Sequence, residues 1–164
     1  MSAADETASE HLSLSLRPAR KADAVWLREL RNDATVRAAS RSPVEVGAEE
    51  HAAWLDKVLA DPDRHLLICE LEGKDVGQVR LDRLEGDRYE ISTALAPEAR
   101  GLGLAGRCMA LAIERLRESH PEAEVEAHVQ GENSRSLGAV RRAGFRPTGE
   151  IDDDGFMVLL ASAE

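Results

Sequence analysis

The sequence predicts a mixed α/β fold, in which a twisted, mostly antiparallel sheet of about seven strands is flanked by about four helices. Strand and helix periodicities follow one another in the order β-α-α-β-β-β-α-β-α-β-β. Three strand patterns in a row are joined by short turn-like segments, which is typical of an antiparallel meander. The regular alternation of strands and helices that a doubly wound nucleotide-binding sheet requires is missing.

The first third of the chain predicts one strand and two helices. Leucines alternate with serines over residues 12–16, and Arg17-Pro18 ends this strand pattern. Apolar residues then recur at helical spacing over 21–39 and again over 48–60.

The rest of the chain predicts the meander, two further helices and a closing hairpin. The meander strands are predicted at 65–71, 76–81 and 89–96. A helix begins near Gly101, and the remaining predictions are a strand at 124–129, a helix at 133–142 and strands at 145–150 and 156–160. The acidic turn Asp152–Gly155 is expected to be only the tip of this hairpin, because it lacks the remaining ligands of a calcium loop.

Composition limits the classes of protein that fit. The 164 residues predict a disordered tail over 1–10 and a single domain over 11–164. The formal net charge of −10 disfavours a nucleic acid as partner, because binding to phosphate backbones needs a basic face. A small anion held by a local basic site remains compatible with this charge.

The sequence also shows neither a targeting signal nor a metal-binding motif. The segment MSAADETASEH has neither the basic nor the apolar region of a secretory signal, and no apolar run approaches the ~20 residues of a membrane span. Cys69 and Cys108 have no C-x-x-C partner, so we expect two buried, reduced thiols and no metal site. The predicted location is the cytoplasm, with no membrane partner.

The segment Gly101-Leu-Gly103-Leu-Ala-Gly106 has the spacing G-x-G-x-x-G of dinucleotide-binding loops. That interpretation requires the first glycine directly after a strand of a βαβ unit, whereas here residues 97–100 intervene and the preceding strand belongs to a meander. A loop that leads into a helix N-terminus also aims backbone N–H groups at an anion such as a pyrophosphate. Arg100 adds a permanent positive charge. The remaining alternative is that the glycines only let the chain turn into a helix.

Two motifs in order carry a resemblance to a known family. Arg100-x-x-Gly103-x-Ala105 resembles the R/Q-x-x-G-x-G/A motif of the GNAT superfamily of acetyl-CoA-dependent N-acetyltransferases. The later segment GENSRSLGAVRRAGF, with Asn133 and Ser136, is similar to the family's N-x-x-S/A…GF segment. Together with the element order, the resemblance covers residues 12–160. The segments 30–33 and 49–55 resemble two subgroups, the sugar-nucleotide N-acetyltransferases of the pseudaminic-acid type and the N-terminal acetyltransferases of ribosomal proteins.

The resemblance implies where acetyl-CoA lies. In this family the co-substrate occupies a V-shaped gap between the fourth and fifth strands, here 89–96 and 124–129. The loop holds the pyrophosphate, backbone groups at the end of the fourth strand bind the pantetheine and polarise the thioester carbonyl, and the asparagine contacts the pantetheine. The residues that the resemblance assigns to the co-substrate are Ala94, Leu95, Ala96, Arg100, Gly101, Leu102, Gly103, Leu104, Ala105, Gly106, Asn133 and Ser136.

The resemblance also implies the catalytic groups. An ammonium must lose its proton before the nitrogen attacks, and Glu90 matches a glutamate that some family members use as the base. The alternative for Glu90 is a solvated strand glutamate. Many members place a tyrosine seven residues after the asparagine as the acid toward the leaving thiolate, but that position holds Val140, and the only tyrosine is Tyr89. Ser136 is the candidate replacement, and a serine bonded to its own helix backbone is its alternative.

Four further groups have a functional and a plain interpretation. His128 lies beside the predicted gap and is a second candidate base, or an exposed strand residue. His51 is a candidate substrate contact, although its helix face is expected to be solvated. Trp26 and Trp54 are expected to pack in the core or between helices, with the walls of a substrate pocket as the alternative. The basic cluster Arg135, Arg141, Arg142 and Arg146 either meets the terminal phosphate of the co-substrate or offsets the acidic excess.

The predicted function is transfer of an acetyl group to a primary amine by direct attack. The expected acceptor is a small molecule such as a nucleotide-linked amino sugar, on the basis of the resemblance of the first helices. The first alternative is a protein N-terminal amine, which the acidic surface favours over a nucleotide diphosphate. An alternative of another class is a non-catalytic acyl-CoA-binding module. The sequence is compatible with a homodimer and does not fix the oligomeric state.

Overall fold

The computed structural model describes residues 12–163, which form one seven-stranded sheet and five α-helices. The strands are β1 (Leu14–Pro18), β2 (Arg64–Leu71), β3 (Lys74–Glu85), β4 (Arg88–Leu95), β5 (Glu124–Val129), β6 (Arg146–Ile151) and β7 (Met157–Ala161). The helices are α1 (Ala24–Asn32), α2 (Ala34–Ala39), α3 (Ala48–Ala60), α4 (Leu104–Ser119) and α5 (Ser134–Arg142). The predicted tail over 1–10 lies outside the described residues.

The strands follow one another across the sheet in the order β1-β2-β3-β4-β5-β7-β6. The pairs β1–β2, β2–β3 and β3–β4 are antiparallel, as are β5–β7 and β6–β7, whereas β4 and β5 run parallel. The predicted fold class, a mixed and mostly antiparallel sheet with flanking helices, is therefore confirmed.

The parallel pair is short, and its two strands separate before either one ends. Pairing of β4 with β5 runs from Arg88↔Glu124 to Ile91↔Ala127. Beyond this point β4 remains paired with β3 as far as Leu95, and β5 remains paired with β7 as far as Val129. Each strand thus follows its other neighbour, and a gap, which we call the fork, opens between 92–95 of β4 and 128–129 of β5.

The two faces of the sheet differ in chemistry. The main core lies between the sheet and helices α4 and α5, and it includes Tyr89 and Ile91 of β4 and Val125 and Ala127 of β5. A smaller core lies on the other face, where α1 and α3 cover β2. Because side chains alternate along a strand, the neighbours of the main-core residues on β4 and β5 point to this second face.

Some predicted boundaries were wrong. The helix predicted over 21–39 is a 3-10 turn (Lys21–Asp23) followed by α1 and α2, because Asp33 adopts an extended ψ of 136°. The Asp33 carboxylate instead accepts hydrogen bonds from the N–H groups of Thr35 and Val36 and so caps α2. Helix α4 begins at Leu104 and not near Gly101, because Gly103 has the left-handed φ of 73°.

Burial in the main core predicts a large loss of stability when a core side chain of β7 is shortened. Leu159 of β7 is fully buried, so Leu159→Ala is expected to lower the free energy of unfolding by about 2–5 kcal/mol in urea denaturation. Val25 is an exposed apolar residue, and Val25→Ala is the control, with an expected change within about 0.5 kcal/mol. Equal effects of the two substitutions would contradict the position of the core.

Candidate active site

The glycine-rich loop connects the end of β4 to the start of α4. Gly101 and Gly103 have φ values of 79° and 73°, a conformation that residues with a Cβ rarely adopt. No side-chain hydrogen bond caps α4 within the part of the chain that the structure describes. The N–H groups in the first turn of a helix have no intrahelical acceptor, so this end of α4 suits an anion. Binding of a pyrophosphate by the loop remains a prediction.

Arg100 braces this loop against the first helices. Its Nη2 donates to Asp33 Oδ2 and, at 3.1 Å, to the carbonyl oxygen of Leu95. Burial alone would raise the pKa of Asp33, but the hydrogen bond from Arg100 helps to hold that pKa below its ordinary value. The guanidinium therefore links the end of β4 to the junction of α1 and α2, and its predicted role as a charge on the pyrophosphate remains a prediction.

The other predicted loop residues point their side chains into the protein. Leu104 is fully buried in the main core, and Leu102 and Ala105 pack against that core. At Gly106 a Cβ would lie 3.1 Å from the carbonyl oxygen of Ala139, so this glycine allows close packing of α4 on α5. These residues have only their main-chain atoms to offer to a ligand.

The end of β4 presents main-chain groups to the fork. The N–H of Ala96 donates to the carbonyl oxygen of Val76 on β3 at 2.8 Å, so it does not face the fork. Because N–H groups alternate in direction along a strand, the N–H of Leu95 points away from β3, into the fork. Among the predicted pantetheine contacts Ala94, Leu95 and Ala96, Leu95 is thus the one whose N–H is directed at the gap.

Helix α5 begins beside the fork, just after β5. Asn133 caps this helix through its Oδ1, which accepts a hydrogen bond from the N–H of Ser136 at 3.2 Å. Ser136 is half-buried, one turn into the helix. Val140 is buried in the main core, as is Tyr89. A tyrosine acid is therefore not available at either position, and the roles of Asn133 and Ser136 remain predictions.

An acidic surface lies on the second face of the sheet at the fork. We call it the acidic floor and define it by Glu90, Glu126, His128 and Asp152. The Nε2 of His128 lies 2.8 Å from Glu126 Oε2 and 3.4 Å from Glu90 Oε1, and its Nδ1 lies 2.7 Å from Asp152 Oδ2. The side chains of all four are 13–17% exposed. The floor is thus shielded from most of the bulk water, and each of its four side chains keeps some exposed surface.

The charge of His128 follows from its neighbours. Burial alone would lower the pKa of His128, but the hydrogen bonds to Asp152 and Glu126 outweigh this effect and raise that pKa above its ordinary value. The hydrogen bond from His128 likewise lowers the pKa of Asp152. Both imidazole nitrogens face carboxylate oxygens, so both carry protons, and His128 is a cation that ties the β6–β7 hairpin to β5. This arrangement disfavours His128 as a base.

Three residues of this site were not predicted from the sequence, namely Glu126, Asp152 and Arg41. Asp152, expected only at a hairpin tip, brings its carboxylate to His128 and to Arg41, with Arg41 Nη2 at 3.0 Å. Arg41 follows α2 and also contacts Glu90 Oε1 at 2.9 Å. No local pattern marks Arg41, because its partners lie 49 and 111 residues away along the chain.

A cavity of about 290 Å³ lies between α1, α3 and strands β3 and β4, and it reaches Ala94. His51 and Trp54 line it, and Trp54 packs against the smaller core, as does Trp26. The expectation that His51 is solvated was wrong, since it is 4% exposed. Burial, with the positive charge of Arg28, lowers the pKa of His51.

Cysteine, metal and membrane features complete the description. Cys69 and Cys108 are buried and unpaired, and Arg135, Arg141, Arg142 and Arg146 are exposed. Within residues 12–163 no three His, Cys, Asp or Glu side chains are grouped to hold a metal ion. Of the helices described, none has the length and apolar character needed to cross a bilayer.

Comparison with known proteins gives one family and several relatives. The family model of the acetyltransferase (GNAT) domain matches residues 13–146. Spermidine N(1)-acetyltransferase of Escherichia coli (strain K12) is 28% identical over 148 residues, which are 88% of this chain and 79% of that protein. The matching curated relatives are spermidine acetyltransferases and not members of the sugar-nucleotide or ribosomal-protein subgroups that the first helices resembled.

Two solved structures show the same fold at low identity. Aminoglycoside acetyltransferase AAC(6')-Ib in complex with coenzyme A has a TM-score of 0.78 at 20% identity, over 92% of this chain and 95% of that one. Spermidine N-acetyltransferase from Vibrio cholerae, in complex with CoA and spermine, has a TM-score of 0.78 at 19% identity, over 90% and 92% of the two chains.

Alanine substitutions at two glycines with left-handed φ are expected to distinguish a loss of stability from a loss of ligand binding. Gly101 and Gly86 both have positive φ, and open space surrounds the position of a Cβ at each. Gly101→Ala and Gly86→Ala are each expected to cost about 1 kcal/mol of unfolding free energy. Only Gly101→Ala is expected to weaken binding of coenzyme A, by about tenfold in calorimetry, because only Gly101 lies in the loop that leads into the N-terminus of α4. Equal affinities of the two variants would remove the loop from the binding site.

The His128 ion pairs predict a pH-dependent stability. The folded pKa of His128 lies above the unfolded value of about 6.5, so its contribution is complete below that pH and is lost as pH rises through the folded pKa. The stability difference between the wild type and His128→Gln, from urea unfolding at pH 5 to 9, is therefore expected to shrink as pH rises.

The control is His120→Gln, since His120 has no carboxylate partner within the described residues. A difference for His128→Gln that grows with pH would contradict the assignment of His128 as a cation.

Proposed function

The chain belongs to the GNAT acetyltransferase family, and on that premise we propose that its acceptor is a small polycationic amine, such as a polyamine or an aminoglycoside. Membership makes the protein an acetyl-CoA-dependent N-acetyltransferase. The observation that carries the choice of acceptor is the acidic floor at the fork.

The floor favours a cation for electrostatic reasons. Glu90 and Glu126 lie directly opposite each other on β4 and β5, and Asp152 reaches the same place from the hairpin. Partly buried carboxylates are weakly screened, so an ammonium group gains more from them than it would at an exposed surface. A nucleotide diphosphate would be repelled by the same groups, which disfavours the nucleotide-linked amino sugar expected from the first helices.

The relatives support the same class of acceptor. The names of the matching relatives specify spermidine and aminoglycosides as their substrates. Both are flexible or ring-based molecules with several ammonium groups. Their shared chemistry fits the acidic floor.

The residues around the fork fit acetyl-CoA as the co-substrate. The first-turn N–H groups of α4, reached past Gly101 and Gly103, would hold the pyrophosphate. The N–H of Leu95 would donate to the thioester carbonyl oxygen or to the pantetheine, and Asn133 would contact the pantetheine from the other side of the fork. The acetyl group then lies at the mouth of the fork, where the acceptor nitrogen can approach from the second face of the sheet.

The acceptor nitrogen loses two protons on the way from ammonium to amide. Glu90 takes the first, which frees the nitrogen lone pair to form the new C–N bond as the C–S bond breaks, and the second passes to the leaving thiolate or to water. The leaving thiolate has an ordinary thiol pKa of ~8.5, so it departs without full protonation. Ser136, half-buried at the start of α5, is the candidate donor of a hydrogen bond to that sulfur.

A substrate panel tests the class of acceptor. Release of free thiol from acetyl-CoA is measured with spermidine, an aminoglycoside, a nucleotide-linked amino sugar and a peptide with a free N-terminus. We expect the polyamine or the aminoglycoside to give the highest kcat/KM, with a steep fall as salt is raised, because the attraction is electrostatic. A higher kcat/KM for the amino-sugar nucleotide or the peptide would contradict the proposal.

Replacement of the base tests the mechanism. Glu90→Gln keeps the shape of the side chain but cannot accept the proton, so kcat with spermidine is expected to fall by about 10²–10⁴-fold near neutral pH. The loss should shrink at higher pH, where more of the amine is already unprotonated. The control is Glu114→Gln, an exposed residue of α4, for which we expect wild-type kcat. An unchanged pH profile in Glu90→Gln would remove Glu90 as the base.

A further inference from the structure

Two arginines contact carboxylates of the acidic floor, Arg88 at Glu126 and Arg41 at Glu90 and Asp152. Arg41 lies there as a cationic substrate would. Arg41 Nη2 is 2.9 Å from Glu90 Oε1 and 3.0 Å from Asp152 Oδ2, and its Nε is 3.2 Å from Asp154 Oδ2. The guanidinium carbon also lies 5.6 Å from the centre of the Phe156 ring. Carboxylates and an aromatic face together are the groups that proteins use to hold cationic ligands.

The position of Arg41 conflicts with the role of Glu90 in catalysis. Under the proposed function, the carboxylate of Glu90 must accept a proton from the acceptor ammonium. Arg41 Nη2 donates to Oε1 of that carboxylate, and His128 Nε2 lies 3.4 Å from the same oxygen. The guanidinium and an acceptor nitrogen cannot share one position, so the ion pair must open before the substrate can bind there.

We propose that Arg41 occupies the position of the acceptor ammonium, and that a cationic acceptor displaces it and so enters the site in preference to a neutral one. This inference rests on the proposed function and adds a specificity-determining residue to it. When a cationic acceptor replaces the guanidinium of Arg41, a positive charge still offsets the negative charges of the floor carboxylates. A neutral acceptor would leave Glu90 and Asp152 with His128 as their remaining cationic contact among the described residues, which is less favourable.

The connection between α2 and α3 allows this exchange without a large rearrangement. Arg31 Nη2 donates to the carbonyl oxygen of Ser42, and Asn32 bonds both main-chain groups of Val46, so the backbone around Arg41 is anchored. The Arg41 side chain itself is 43% exposed. Rotation of that side chain into solvent is therefore sufficient to vacate the floor.

Kinetics with spermidine give the first test. If Arg41 competes with the substrate, Arg41→Gln is expected to lower KM for spermidine by about threefold or more, with kcat close to wild type, because one competitor for the carboxylates is gone. Arg41→Lys keeps a cation and is expected to keep KM near the wild-type value. The matched control is Arg83→Gln, which removes a similar ion pair, to Asp63, away from the floor. An unchanged or higher KM in Arg41→Gln would overturn the inference.

A binding measurement tests Arg41 without turnover. Methylguanidinium carries the charged group of an arginine side chain, so calorimetry should show that it binds Arg41→Ala at concentrations at which the wild type binds none. It should also inhibit acetylation of spermidine by Arg41→Ala competitively. Equal binding to both proteins, or none to either, would overturn the inference.

The two proposals fail in different ways. A wild-type protein that acetylates no polyamine or aminoglycoside contradicts the proposed acceptor, and the methylguanidinium experiment still decides whether Arg41 occupies a cation site. A protein that acetylates spermidine with the same KM before and after Arg41→Gln keeps its proposed acceptor and loses only the role of Arg41.

Discussion

The separation of β4 from β5 is the constraint on which the rest of the site depends. The two strands share pairing only from Arg88↔Glu124 to Ile91↔Ala127, because each is then held by its other neighbour in the sheet. The glycine-rich loop follows β4 and the N-terminus of α5 follows β5, so the fork places these two parts on opposite sides of one gap. It also leaves main-chain N–H groups of β4 without a strand partner. These groups would be used within the sheet if β4 and β5 stayed paired to their ends.

The same strands supply both the core and the chemistry. Alternation along β4 buries Tyr89 and Ile91 beneath α4 and turns Glu90 to the other face. Along β5 the same alternation buries Val125 and Ala127 in the main core and turns Glu126 and His128 to the other face. The carboxylates that would bind an amine are thus held by a rigid sheet. Three cations, His128, Arg41 and Arg88, lie against the three carboxylates of the acidic floor, and the first two join the hairpin and the α2–α3 connection to the floor.

Periodicity and short motifs in the sequence predicted those parts of the structure that neighbouring residues determine. Strand order along the chain, the glycine-rich loop and the helix predicted over 133–142 follow from residues close in sequence. The floor does not, because Arg41 and Asp152 are 111 residues apart and lie in irregular segments without periodicity. The break at Asp33 was hidden because apolar spacing continues across it, whereas its cause is a capping hydrogen bond and the distant Arg100. The first helices resembled two other subgroups, whereas the carboxylates that would bind the acceptor under the proposed function lie on β4, β5 and the hairpin.

A crystal structure of the complex with coenzyme A and spermidine tests the central claim most directly. The account predicts the pantetheine between β4 and β5, a primary nitrogen of spermidine within about 3.2 Å of a Glu90 carboxylate oxygen, and the Arg41 guanidinium away from that carboxylate. Spermidine bound away from the acidic floor, or coenzyme A bound outside the fork, would contradict it.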